Sequence, residues 1–109
     1  MEDKNQKIQE MQMLEQNLQN LLMQKQAFQM EISETIAALK EVETSKDKVF
    51  KVIGQLMIET EKGKMQEELK AKEKILETRI NAIKKQEAPL TEQLEKFREE
   101  LMKEMNKKE

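Results

Sequence analysis

The chain has 109 residues, of which 39% are charged and only 3% aromatic, with no Trp, Tyr, Cys or His and a formal net charge of −2. That composition leaves too little bulk for a conventional globular core and matches long helices and coiled coils. It excludes disulfide and thiolate chemistry, and the residue that most often serves as general base or zinc ligand.

Both signs of charge are interspersed, so no basic face points to nucleic acid. No run of about 18 apolar residues is present to cross a membrane. The first ten residues, MEDKNQKIQE, are acidic and polar, unlike a secretory signal. The expected compartment is the cytoplasm. There is no Gly-rich phosphate loop, since Gly54 and Gly63 are the only glycines. Carboxylate pairs such as Glu67-Glu68 and Glu99-Glu100 sit on solvated helix surface. No metal, no cofactor and no enzymatic activity are expected.

The first predicted element is a helix over about 5–46. A 3,4 spacing from Met11 visits Leu14, Leu18, Leu21, Lys25, Phe28, Ile32, Thr35, Leu39 and Val42. Eight of these ten positions are apolar, in a chain that is 37% hydrophobic. A heptad sustained over this length is a coiled-coil seam. Polar residues occupy the other faces, so the helix is not buried all round. Thr44-Ser45-Lys46-Asp47-Lys48 breaks it, because such side chains compete for backbone hydrogen bonds.

The stretch over about 49–60 reads as a two-stranded β-hairpin. Val49-Phe50-Lys51-Val52-Ile53 is β-branched and aromatic, which favours a pleated backbone. Gly54-Gln55 supplies a two-residue turn, since Gly takes positive φ at the first central position without a Cβ clash. Leu56-Met57-Ile58-Glu59-Thr60 returns. With that turn Ile53 faces Leu56, Lys51 faces Ile58 and Val49 faces Thr60, while Phe50, Val52, Met57 and Glu59 share the opposite face. A lone hairpin is marginal in water, and its edges invite further strands. Val49, Phe50, Val52, Ile53, Leu56, Met57 and Ile58 are therefore the candidate oligomerisation surface.

A second helix is predicted over about 61–106, with Thr60 as N-cap and Glu61 at the positive end of the helix dipole. Gly63 in its first turn is a weak point. The 3,4 spacing from Leu69 visits Glu73, Leu76, Ile80, Ile83, Glu87, Leu90, Leu94, Phe97, Leu101 and Glu104, eight of eleven apolar. The spacing continues in phase across Pro89, which predicts a kink and not a domain boundary.

Two such arms joined by a hairpin fold back on each other. Antiparallel layers pair an a with a d position, which admits one register centred on Gly54 and another centred between Met57 and Ile58. In both, Lys25 and Glu87 fall in neighbouring layers. They are either a polar pair that fixes register or two stems lying along the seam with their heads in water. Met1, Met11 and Met13 near one terminus and Met102 and Met105 near the other then come together beyond Leu14, Leu18, Phe97 and Leu101. Met is flexible and polarizable and suits promiscuous apolar contact. These residues either finish the seam or form an apolar binding tip. Met13 and Met102 lie off the 3,4 spacing, so the seam does not account for them.

Helix, hairpin and helix, with VFKVIGQLMI between heptad arms, resembles the prefoldin family, in particular its archaeal β subunits. The runs EQNLQNLLMQKQAFQMEISE and LKAKEKILETRINAIKKQE are very similar to that subunit type, and the resemblance covers nearly the whole chain. The α-type subunit carries two hairpins, whereas this chain has room for one. Gly63 and the TEKGK start of the second arm depart from the family pattern.

The resemblance implies a single mainly α subunit. Its hairpin joins an intersubunit β-barrel in a hexamer of two α and four β chains. It further implies tips, here Met11, Met13, Leu14, Leu18, Phe97, Leu101, Met102 and Met105, that bind unfolded proteins without nucleotide and deliver them to a group II chaperonin. The alternative is a structural coiled-coil adaptor that docks one specific helical partner.

Overall fold

The computed structural model describes residues 2–107, with side chains from Lys4 to Asn106. Met1, one of the methionines expected near the tip, lies outside the described residues. Helix α1 spans Glu2–Thr44, strands β1 and β2 span Val49–Ile53 and Leu56–Thr60, and helix α2 spans Lys62–Lys107. Two long helices thus bracket an antiparallel hairpin, the architecture that the sequence predicts.

Both helices bury the stripe that the 3,4 spacing selects. All ten α1 seam positions from Met11 to Val42, and all eleven on α2 from Leu69 to Glu104, are buried or half-buried. The same spacing reaches back to Lys4 and Lys7 on α1, also half-buried. Most of the positions between are exposed, as a two-helix seam requires, because each helix has one neighbour to cover one stripe.

By contact density the chain divides into two units. One comprises α1 through Gln26 and α2 from Asn81 onward; the other is Ala27–Ile80. In the second unit Leu69, Leu76 and Ile80 are buried, and in the first Ile83 and Leu94 are. Thr35 is the one buried polar side chain among the described residues, and its hydroxyl donates to the Glu31 carbonyl at 2.8 Å. That bond satisfies the group locally, so Thr35 holds a seam position without an unpaired donor. These cores are thin. Small chains bury little of their surface, and fifteen large apolar side chains remain exposed among the described residues.

Helix α1 ends where the polar stretch begins. The Ser45 amide donates to the Val42 carbonyl at 3.3 Å, tightening the last turn. No basic residue lies in that turn. Lys62, from the first turn of α2, supplies the missing cation: its ammonium donates to the carbonyls of Glu43 at 2.8 Å and Ser45 at 3.1 Å. A cation on the last carbonyls complements the negative end of the helix dipole.

The start of α2 corrects one expectation. Thr60 is the last residue of β2, paired with Val49, and the helix begins at Lys62 with no acidic residue in its first turn. The first helical bond runs from the Met65 amide to the Glu61 carbonyl at 3.0 Å, so Glu61 occupies the N-cap. The strand ladder claims the Thr60 backbone, and the helix starts one residue later. Helix α2 continues through Pro89, which is exposed and lies away from the seam.

Candidate functional site

The hairpin pairs Val49 with Thr60, Phe50 with Glu59, Lys51 with Ile58, Val52 with Met57 and Ile53 with Leu56. Gly54 has φ 61°, and it is the one positive φ among the described residues. A two-residue loop with positive φ at its first central position alone is a type II′ turn, whose twist matches that of the strands. On one face Val49, Lys51 and Thr60 are half-buried. Phe50, Val52 and Met57 on the other face are exposed, as are Ile53, Leu56 and Ile58 near the turn. Lys51 crosses to α2, where its ammonium meets Glu68 Oε2 at 2.8 Å. Lys48 and Glu59 lie 3.8 Å apart. Six large apolar side chains in nine residues are thus left in water, more than a single two-stranded ribbon can cover.

The chain ends form a second apolar surface, within the unit of α1 through Gln26 and α2 from Asn81. Met11, Leu14, Leu18, Phe97 and Leu101 are half-buried along the seam. Met13, Met102 and Met105 are more than 60% exposed. An open groove of about 260 Å³ is lined by Met13, Leu14 and Phe97 together with Glu10, Asn17 and Gln93. Charges beside it are paired across the two helices. Lys7 lies 3.2 Å from Glu100 and 3.6 Å from Glu104, and Arg98 lies 3.5 Å from Glu15. The hydrogen bond to Glu100, with Glu104 adding to it, holds the Lys7 ammonium above the usual lysine range.

Farther along the same unit, Lys25 Nζ donates to both carboxylate oxygens of Glu87, at 2.8 and 3.1 Å. Both side chains are about 80% buried, at 19% and 20% exposure. Glu15–Arg98 and Lys25–Glu87 are centred within one residue of Leu56, and Lys7 reaches both Glu100 and Glu104; these pairs join neighbouring layers, which both registers admit. A 3,4 repeat fixes which residues face the seam but not how far one helix slides along the other.

Three features escaped the sequence reading. The Lys62 cap is a contact between distant segments and leaves no local signature. Arg79 places its guanidinium 5.7 Å from the centre of the Phe28 ring, a cation–π distance. Ile75 is exposed beside Ala71 and Thr78, at a shallow groove of about 460 Å³; it is an apolar residue standing outside the 3,4 spacing, and that was its only signal. Among the described residues no group of three or more His, Cys, Asp or Glu side chains is placed to hold a metal ion, and no helix is long and apolar enough to cross a membrane.

Known proteins share this arrangement. A family model described as prefoldin subunit matches residues 5–108. The prefoldin subunit beta of Thermococcus onnurineus is 38% identical over 89 residues, covering 80% of this chain and 77% of that protein. The prefoldin subunit beta of Pyrobaculum calidifontis is 37% identical over 92 residues, covering 83% and 74%. The crystal structure of the prefoldin beta subunit from Thermococcus strain KS-1 superposes with a TM-score of 0.86 at 33% identity, over 93% of this chain and 90% of that one. With the helix–hairpin–helix order, the seam and the family match all covering the same residues, the chain belongs to the prefoldin subunit family, a chaperone-associated family, and resembles its archaeal beta subunits.

Proposed function

We propose that this chain is an ATP-independent holdase subunit, which binds unfolded proteins through the ends of its two helices and passes them to a group II chaperonin in the cytoplasm. The single observation that carries this reading is the pair of uncovered apolar surfaces on one thin-cored chain: a β-branched hairpin at mid-chain and exposed methionines at the chain ends. In this reading Val49, Phe50, Val52, Ile53, Leu56, Met57 and Ile58 are covered by the hairpins of neighbouring subunits, in a barrel built from two α-type and four β-type chains. Met11, Met13, Leu14, Leu18, Phe97, Leu101, Met102 and Met105 stay free for clients. Lys25 and Glu87 hold the register that brings these ends together.

Unfolded chains present scattered apolar groups with no fixed geometry. Flexible methionines meet them weakly but adaptably, and several subunits on one platform raise the avidity by about 10²–10⁴. The test is suppression of aggregation of a denatured protein by the assembled complex, comparing the native chain with Met13, Met102 and Met105 all replaced by Ser. Protection should fall while the complex keeps its size. Equal protection by the Ser variant would remove the ends as the binding site.

A further inference from the structure

Helix α1 carries a second 3,4 stripe, and it holds no charge. Gln9, Gln12, Gln16, Gln19, Met23 and Gln26 each lie two positions before a seam residue, from Met11 to Phe28. Two residues turn a helix by about 200°, so the stripe runs along the side opposite the seam, and all six side chains are exposed. In sequence the spacing runs on uncharged through Met30, Ser33 and Ala37. In a chain that is 39% charged this is a conspicuous omission. The equivalent stripe on α2 of the same unit is built differently. Of its seven positions from Asn81 to Met102, all exposed, four are charged: Lys85, Glu92, Glu95 and Glu99. A helix face that only has to stay in water is thus mostly charged here, and the Gln stripe is a different kind of surface. The charges α1 does place nearby are largely engaged elsewhere, Glu15 with Arg98 and Lys25 with Glu87.

We propose that this stripe is a second contact surface for an unfolded polypeptide, extending the binding site from the methionines at the helix ends along the outer side of α1. The proposal rests on the holdase reading above. The occupant follows from the chemistry. A Gln side chain ends in a primary amide, which both donates and accepts, and so matches the free N–H and C=O groups of a chain without secondary structure. Met23 adds a flexible apolar contact, exposed like Met13. The absence of charge removes selection by client charge, so acidic and basic segments meet the stripe on equal terms. A folded helical partner would call instead for apolar knobs at this spacing, and the stripe offers one Met among five Gln.

The test uses the assembled complex with Gln12, Gln16, Gln19 and Gln26 replaced together by Glu, and in a second variant together by Lys. All three residue types have similar helix propensity, and far-UV circular dichroism checks that α1 is kept. The probe is a labelled, permanently unfolded polypeptide of near-zero net charge. Both variants should bind it about tenfold more weakly, the scale of one or two lost hydrogen bonds. Unchanged binding in either variant overturns the proposal, and so does a change in complex size with binding retained, which would make the stripe a contact between subunits. The Ser variant of Met13, Met102 and Met105 runs alongside. If that variant alone loses binding, the stripe falls and the holdase reading stands; if neither does, both fall; if only the charged variants do, the stripe stands and the helix ends fall. Should the charged variants misfold, Gln19→Cys gives a single labelling site, since the chain has no cysteine. A photocrosslinker there should capture the unfolded probe, and crosslinks to other subunits alone would overturn the proposal.

Discussion

Replacing Ile53 with Lys and Ile58 with Glu tests whether the hairpin is the assembly surface. Ile58 stands directly opposite Lys51, so a Lys at 58 would set like charges face to face and unfold the hairpin for a trivial reason; Glu avoids this. Ile53 is 51% and Ile58 46% exposed in the single chain. Full burial of an Ile is worth about 1.5–3 kcal/mol, so covering the exposed half of each returns about 0.7–1.5 kcal/mol. Together they contribute about 1.5–3 kcal/mol per copy, and the two buried charges add a desolvation cost. Association of each copy should weaken by at least about ten- to hundredfold. Neither residue lies on the helical seam, so far-UV circular dichroism should be nearly unchanged while sedimentation velocity shows a smaller particle. Ile53→Val with Ile58→Val is the control and should still assemble. A variant complex of unchanged size, in the presence of an α-type partner, would refute the platform argument.

Lys25→Leu with Glu87→Leu should match or exceed the native chain in its urea midpoint, because an apolar replacement for a largely buried ion pair is often neutral or stabilising. Glu87→Leu alone should lose about 1–3 kcal/mol, since Lys25 keeps its charge without its partner; a double variant less stable than the single would contradict this. Gly63→Ala should gain up to about 1 kcal/mol by thermal melting, because nothing lies within 4 Å of an added Cβ and Gly63 has no positive φ. A lower melting temperature would show a strain that the backbone does not reveal. Lys62→Met should cost about 1 kcal/mol by uncapping the last carbonyls of α1, and hydrogen exchange should rise first around Ala38–Thr44; unchanged exchange there would mean water caps the turn equally well.

The hairpin was legible because its signals are local: a β-branched run, a Gly at the turn, and a pleat of period two that fixes every pair once the turn is placed. The seam was legible because 3,4 spacing is a property of one helix. What the sequence reading missed depends on two segments at once. Thr60 has the chemistry of an N-cap, but its backbone belongs to the β ladder and Glu61 takes the position. Lys62 looked like an ordinary residue of an atypical helix start, and its partners are the Glu43 and Ser45 carbonyls. Lys25 and Glu87 were legible as neighbours, because both registers set them in adjacent layers; the choice between the registers depends on how one helix slides along the other, which the heptad leaves open.

The two uncovered surfaces differ in the stiffness of their side chains, and in the proposed reading that difference fits them for different jobs. Of the hairpin's six exposed apolar side chains, Val52, Ile53 and Ile58 are β-branched, with few rotamers to lose when covered, while Phe50, Leu56 and Met57 are not. Met13, Met102, Met105 and the Gln residues of α1 each give up as much as about 1.5–2 kcal/mol of rotamer entropy when fixed. For similar apolar area, stiff side chains would bind more tightly and in fewer geometries, as the platform of the proposed reading needs. Flexible methionines at the helix ends would bind more weakly and in many geometries, as a client surface that releases its cargo in the proposed reading needs. Exchanging the chemistries would harm both: methionine hairpins would loosen the platform, and β-branched ends would hold clients in too few poses and release them slowly.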